Sequence, residues 1–237
     1  MRRLLHTIIL IFTSSICLIG CQTEKLYEEQ STLIIAVDLG LPSGLKWASC
    51  NVYAARSEKP GTYFQWGVDD VSYAYYFFSY KWFNSSGDNY TIIKYNYDSK
   101  FGTVDNKMVL DAQDDVANVV WGKGWYIPST QDWQELSAEC NWSWEDNDYV
   151  SGFKVTGPNG KSIFLPAGGY FKGIKESGST VTYDGIKGFY WTCDLNEEDP
   201  SCAQAVTIYE SNTTAGYVME ISGCERYIGL SVRPVID

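Results

Sequence analysis

From residue 33 onward the sequence is a succession of short apolar or aromatic stretches, each cut by Gly, Asn, Asp or Pro. The stretches 33–37, 63–66, 152–155, 162–165 and 229–235 are too short for helices and are bounded by turn-forming residues, which predicts strands separated by tight connections. Helical periodicity is sparse. It is clearest over 130–140, where Trp133, Leu136 and Cys140 recur at three- and four-residue intervals on one face. Ser129 stands where an N-cap is needed and Asp132 follows three residues on, completing a capping box. A second helix is expected over 111–120, with Val116, Val119 and Val120 apolar. Asp111, Asp114 and Asp115 near its start favour the positive end of the helix dipole, a simpler account of these acids than a calcium site. Gly157-Pro158-Asn159 reads as a turn between strands. The pattern predicts one α+β domain with two helices and many short strands.

The composition is globular: 45% hydrophobic, 16% aromatic and 20% charged residues. With 18 Tyr, 10 Phe and 9 Trp the chain has bulk enough for a sizeable core. A formal net charge of -11, from 18 basic against 29 acidic side chains, argues against nucleic acid, because neutralising phosphates takes a clustered basic excess.

The N-terminus reads as an export signal and not as part of the fold. Arg2 and Arg3 precede an apolar run over 4–19 that is short for a membrane span and has no positive stop behind it. Leu18-Ile19-Gly20-Cys21 resembles the bacterial lipoprotein box, which implies a signal peptide over 1–20 and lipid attachment at Cys21, through diacylglycerol on sulfur and a further acyl chain such as palmitate. Two or three chains make such an anchor effectively permanent. Residues 22–31 are polar and carry Glu24, Glu28 and Glu29, so 21–32 is expected to be a flexible tether and 33–237 the folded domain. The expected location is the outer membrane, with surface exposure suggested by the acidic tether.

Loss of the signal removes His6, the single histidine of the chain. Triad hydrolases and most catalytic zinc sites need an imidazole, so those classes are effectively excluded. Of seven cysteines, Cys17 leaves with the signal and Cys21 is lipidated. Cys50, Cys140, Cys193, Cys202 and Cys224 remain, an odd number without a CxxC, which leaves their pairing open, a Cys193–Cys202 bridge included. No cofactor or metal is expected.

A family resemblance emerges from longer blocks. VDLGLPSGLKWASCNV at 37–52 and GTYFQWG at 61–67 are followed in order by KYN at 94–96, GTVDNKMVLDAQDDVA at 102–117 and WGKGWYIPSTQDWQEL at 121–136. NGKSIFLPAGGY at 159–170, GFYWTC at 188–193 and GLSVRPV at 229–235 complete the series. Together they resemble the Fibrobacter succinogenes major paralogous domain, found in secreted and lipid-anchored proteins of Bacteroides-type bacteria. The resemblance implies a C-type-lectin-like fold, shared with the formylglycine-generating enzymes: two helices, small twisted antiparallel sheets and long loops. The copper-binding cysteine pair and Arg-Gly-Gly-Ser stretch of those enzymes do not stand here, nor do the calcium- and sugar-binding tripeptides of the lectins. The resemblance therefore implies a non-catalytic binding module for a surface protein or glycan. A carbohydrate-active or other enzyme, and a structural subunit of a surface complex, are the alternatives; no motif selects a catalytic pair of carboxylates.

In lectin-like domains recognition lies in loops late in the chain, here 189–227. Glu197, Glu198, Tyr209, Asn212 and Tyr227 are accordingly the expected ligand-binding residues. Two aromatic groups are weighed beside them. The run 73–97 holds eleven aromatic residues, suited to core filling or to stacking against a ligand. Trp142 and Trp144, near Tyr149, are spaced to share one face of a strand, where core packing is the favoured reading. Trp121, Trp125, Trp133 and Trp191 are expected in the core.

Overall fold

The computed structural model describes residues 34–86, 89–122, 124–147, 150–174, 181–212 and 215–237, and those from Ile35 to Asp237 belong to one unit. In chain order β1 (Ala36–Asp38), β2 (Lys46–Ala48), β3 (Ala74–Tyr75), β4 (Phe83–Ser86) and β5 (Asn89–Ile92) precede two helices, α1 (Val116–Trp121) and α2 (Thr130–Glu139). There follow β6 (Asn141–Asn147), β7 (Val150–Thr156), β8 (Ser162–Pro166), β9 (Gly168–Tyr170), β10 (Gly173–Ile174) and β11 (Thr182–Asp184). The chain closes with β12 (Lys187–Leu195), β13 (Cys202–Glu210), β14 (Tyr217–Glu225) and β15 (Val235–Ile236). The fold is α+β and rich in strands, as the short apolar stretches require.

Among the described residues the strands form five small sheets, of orders β1-β2-β15, β10-β3, β4-β5, β6-β7-β8 and β11-β9-β12-β13-β14. The last dominates, because β12, β13 and β14 are each nine residues long and pair antiparallel over almost their whole length. Its two faces carry different cores. Tyr190, Val206 and Ile208 pack with Trp47, Trp133, Leu136 and Phe153 on one side. Trp191, Ala203 and Ala205 pack with Phe64, Trp66, Val116 and Leu230 on the other. Burial on both sides explains why β12 and β13 do not alternate cleanly between apolar and polar residues.

α2 forms as its sequence dictates. Ser129 Oγ accepts from Asp132 N, and Asp132 Oδ2 accepts from Ser129 N at 2.7 Å, while Trp133 and Leu136 are buried. Trp133 meets Trp47 edge-on at 4.8 Å and Tyr190 at 5.3 Å. α1 is shorter than the expected 111–120. Asp115 is its N-cap, accepting from Ala117 N and Asn118 N, so the helix cannot begin before Val116. Asp111 and Asp114 are drawn away by Lys94, which pairs with both, and Tyr95 Oη donates to Asp114 at 2.6 Å.

Other expectations are corrected in part. Stretch 63–66 forms no strand: Phe64 makes an isolated bridge to Leu230, and Trp66 N donates to Arg226 O. Stretch 229–235 is broken by Arg233 and Pro234, leaving β15 with two residues. Trp133 and Trp191 are fully buried, whereas Trp121 and Trp125 are half-buried and pack on each other at 5.2 Å. The Gly157-Pro158-Asn159 turn forms, with Gly160 N donating to Gly157 O. Trp142 and Trp144 both pack on Phe153, at 5.7 and 5.0 Å. Tyr149 lies outside the described residues. All five cysteines from Cys50 onward are free thiols, with no Cys193–Cys202 bridge.

Two buried arginines tie the loops to this frame. Arg233 donates to Asn51 Oδ1, Ala48 O and Phe164 O, joining β2, the loop after it and β8. Arg226 donates to Tyr80 Oη, Tyr95 O, Pro200 O and Lys94 O, and its guanidinium lies within 6 Å of the Trp66, Tyr80, Phe83 and Tyr95 rings.

Candidate functional site

Residues directly opposite each other on paired strands share a face. Lys187 is opposite Tyr209, Phe189 opposite Thr207, and Thr207 opposite Glu220. These five residues therefore stand on one side of the large sheet, the side whose far end is covered by the core around Trp191. Toward Lys187 they reach solvent: Glu220 is exposed, and Lys187, Phe189, Thr207 and Tyr209 are half-buried. Their opposite numbers, Gly188, Ile208 and Met219, face the core around Trp133.

β9 and β11 extend this open face. β9 lies parallel to β12, and Gly169 lets β11 press against it: a Cβ at Gly169 would stand 2.2 Å from Thr182 O. The close approach brings Tyr170 and Tyr183 to Phe189. Tyr170 meets Phe189 edge-on at 5.1 Å, and the Tyr183 ring lies nearly parallel to Phe189, at 26° and 6.1 Å. Tyr183 is 47% exposed and has φ +61°, a left-handed conformation that costs a branched or bulky L-residue about 1–2 kcal/mol. An exposed tyrosine held in strained backbone is the kind of residue that function, not stability, keeps in place.

Charges complete the face. Lys187 Nζ lies over the Tyr209 ring at 4.0 Å and over Tyr183 at 5.4 Å, and no carboxylate among the described residues lies within salt-bridge distance of it. Tyr209 Oη donates to Glu220 Oε1 at 3.0 Å, and the carboxylate holds the phenol above its ordinary pKa. The result is a row of tyrosine and phenylalanine rings with one ammonium and one carboxylate set into it.

The five residues expected from the sequence separate into two groups. Tyr209 belongs to the aromatic face, and Asn212 is exposed in the turn beyond it. Glu197, Glu198 and Tyr227 lie at the opposite end of β13, because Cys202 is opposite Glu225 whereas Glu210 is opposite Tyr217. Nine strand residues separate the ends by about 27 Å, so no small ligand touches all five. Glu197 and Glu198 are exposed on a loop ordered by Asn196, whose Oδ1 accepts from Glu198 N and Asp199 N. Tyr227 is half-buried, with Lys172 Nζ 5.5 Å from its ring; partial burial and Glu225 push its phenol up. Tyr170, Tyr183, Lys187 and Phe189 stand on strands, outside the loop residues expected from the sequence. The alternation of Lys187, Phe189 and Trp191 marks one face of β12 alone, not its junction with β9 and β11.

The aromatic run 73–97 is largely core: Tyr75, Tyr80, Phe83 and Tyr95 are buried, while Tyr73 and Phe78 remain exposed. An open groove of about 410 Å³ lies elsewhere, lined by Glu58, Glu145, Lys154 and three serines, and the Ser57 hydroxyl holds the Glu58 carboxyl below its usual range. Among the described residues no group of three His, Cys, Asp or Glu side chains is placed to hold a metal ion, and no helix is long and apolar enough to cross a membrane. Cys21 lies outside the described residues.

No protein-family model, curated protein or solved structure matches this chain.

Proposed function

We propose that the chain is a cell-envelope lipoprotein, anchored through Cys21 in the outer membrane, whose C-type-lectin-like domain is a non-catalytic binding module for a surface protein or glycan. The observation that carries this reading is the open aromatic face built from Tyr170, Tyr183, Phe189 and Tyr209. Half-exposed rings with polar tips, fixed on paired strands, present contact area with little side-chain entropy left to lose. Membership in the Fibrobacter succinogenes major paralogous domain family rests on the sequence blocks. Two helices set among small antiparallel sheets support the lectin-like assignment.

The test has two arms. A clickable fatty acid should label the wild-type chain and not Cys21→Ser, and an unlabelled wild type removes the anchor. Envelope material captured by the full-length chain should be released when Tyr183 and Tyr209 are replaced by Ala; undiminished capture removes the aromatic face as the binding surface.

A further inference from the structure

Resting on the reading of the aromatic face as the binding surface, we infer that its ligand is a neutral oligosaccharide, stacked on Tyr183, which Phe189 backs, and reached by Lys187 and Glu220. A pyranose ring has an apolar side of C–H groups and a rim of hydroxyls. It needs a flat π surface beneath it and both donors and acceptors at its edge. The face supplies these: Tyr183, 47% exposed, stacks against Phe189 at 6.1 Å, and Tyr170 in turn braces Phe189 edge-on. Lys187 donates only, Glu220 accepts only, and Thr207 between them can do either.

Charge decides the class of sugar. The central ammonium and carboxylate offset each other, so the face attracts neither a polyanion nor a polycation. An acidic sugar would gain at Lys187 and lose at Glu220. A protein partner fits less well, because a stable interface wants roughly 800 Å² per side with an apolar centre. Here the most exposed ring, Tyr183, is neighboured by charged groups, and the five strands span about 19 Å. That footprint is the length of a short glycan. The strained φ of Tyr183 is an independent observation, since it keeps a ring at the open edge where the fold itself would prefer glycine.

The experiment uses the full-length chain in detergent on an array of short neutral hexose oligosaccharides and uronic-acid-containing oligosaccharides, with affinities measured for wild type, Tyr183→Ala, Lys187→Met and Tyr209→Ala. The expected result is binding of a neutral oligosaccharide that weakens about tenfold or more in each variant, while each variant keeps the wild-type circular dichroism spectrum and a cooperative melt. Selective binding of the uronic-acid probes, or no glycan binding at all, overturns the inference. If the array is silent while captured envelope protein is lost in Tyr183→Ala, the inference fails and the binding module stands. If neither glycan nor protein binding responds to any variant, both fail.

Discussion

Arg226→Lys should cost about 3–6 kcal/mol of stability, although it keeps the charge. Arg226 is wholly buried and donates to four acceptors: Pro200 O at 2.8 Å, Lys94 O and Tyr80 Oη at 3.0 Å, and Tyr95 O at 3.1 Å. Its planar fork reaches three chain segments at once. A lysine ammonium presents its donors from a single point and can keep about two of these bonds. Hydrogen bonds to charged groups are worth about 1.5–3 kcal/mol each, so losing two gives the stated range. The more strongly hydrated ammonium also pays more to be buried, which pushes the cost toward the upper end. Against a total stability of about 5–15 kcal/mol this is a large share. Urea denaturation followed by tryptophan fluorescence would measure it. Hydrogen exchange should show the amides of 92–106 losing protection first, because Arg226 is what holds Lys94 and Tyr95 to the 200 loop. A stability within about 1 kcal/mol of wild type would refute the reasoning, since the fork geometry would then be doing nothing that a point charge cannot.

Other expectations follow from the same structure. Trp133→Ala should cost about 3–5 kcal/mol and undock α2, whereas Trp133→Phe should cost far less, because the indole N–H of Trp133 is buried without an acceptor; thermal melts of the two variants distinguish them. Burial raises the Asp115 carboxyl to about 6 despite three backbone N–H donors, so the folded state binds its proton more tightly than the unfolded state. Its contribution is therefore greatest below about pH 4 and is lost as pH rises through 6, by about 3 kcal/mol, and the stability of wild type relative to Asp115→Asn should fall over that window; a flat difference between pH 4 and 7 would contradict this. Tyr183→Asn should leave the thermal midpoint nearly unchanged, since relief of the left-handed strain offsets the lost ring contacts, while ligand binding is lost. A marked drop in midpoint would make Tyr183 a structural residue.

The sequence was most legible where local chemistry decides. α2 begins at the residue its capping box names, and the strands 152–155 and 162–165 fall inside β7 and β8. It was less legible where tertiary partners compete with local preference. Lys94 and Tyr95, far along the chain from α1, claim the acids that would have lengthened it. Arg233 sits in an apolar stretch yet turns inward to carbonyls, breaking a strand the pattern favoured. The aromatic face was hidden for a related reason. Tyr170, Tyr183 and Phe189 come together only because β9 inserts beside β12, a parallel contact that no local pattern announces.

The most direct test of the aromatic face is a titration of the full-length chain with short neutral hexose oligosaccharides, followed by chemical-shift changes of its assigned aromatic rings. The account predicts that the shifts concentrate on Tyr183, Phe189 and Tyr209, with Tyr73, Phe78 and the amides of Glu197 and Glu198 unmoved. Shifts confined to Tyr73 and Phe78, or to the 196–201 loop, would contradict it.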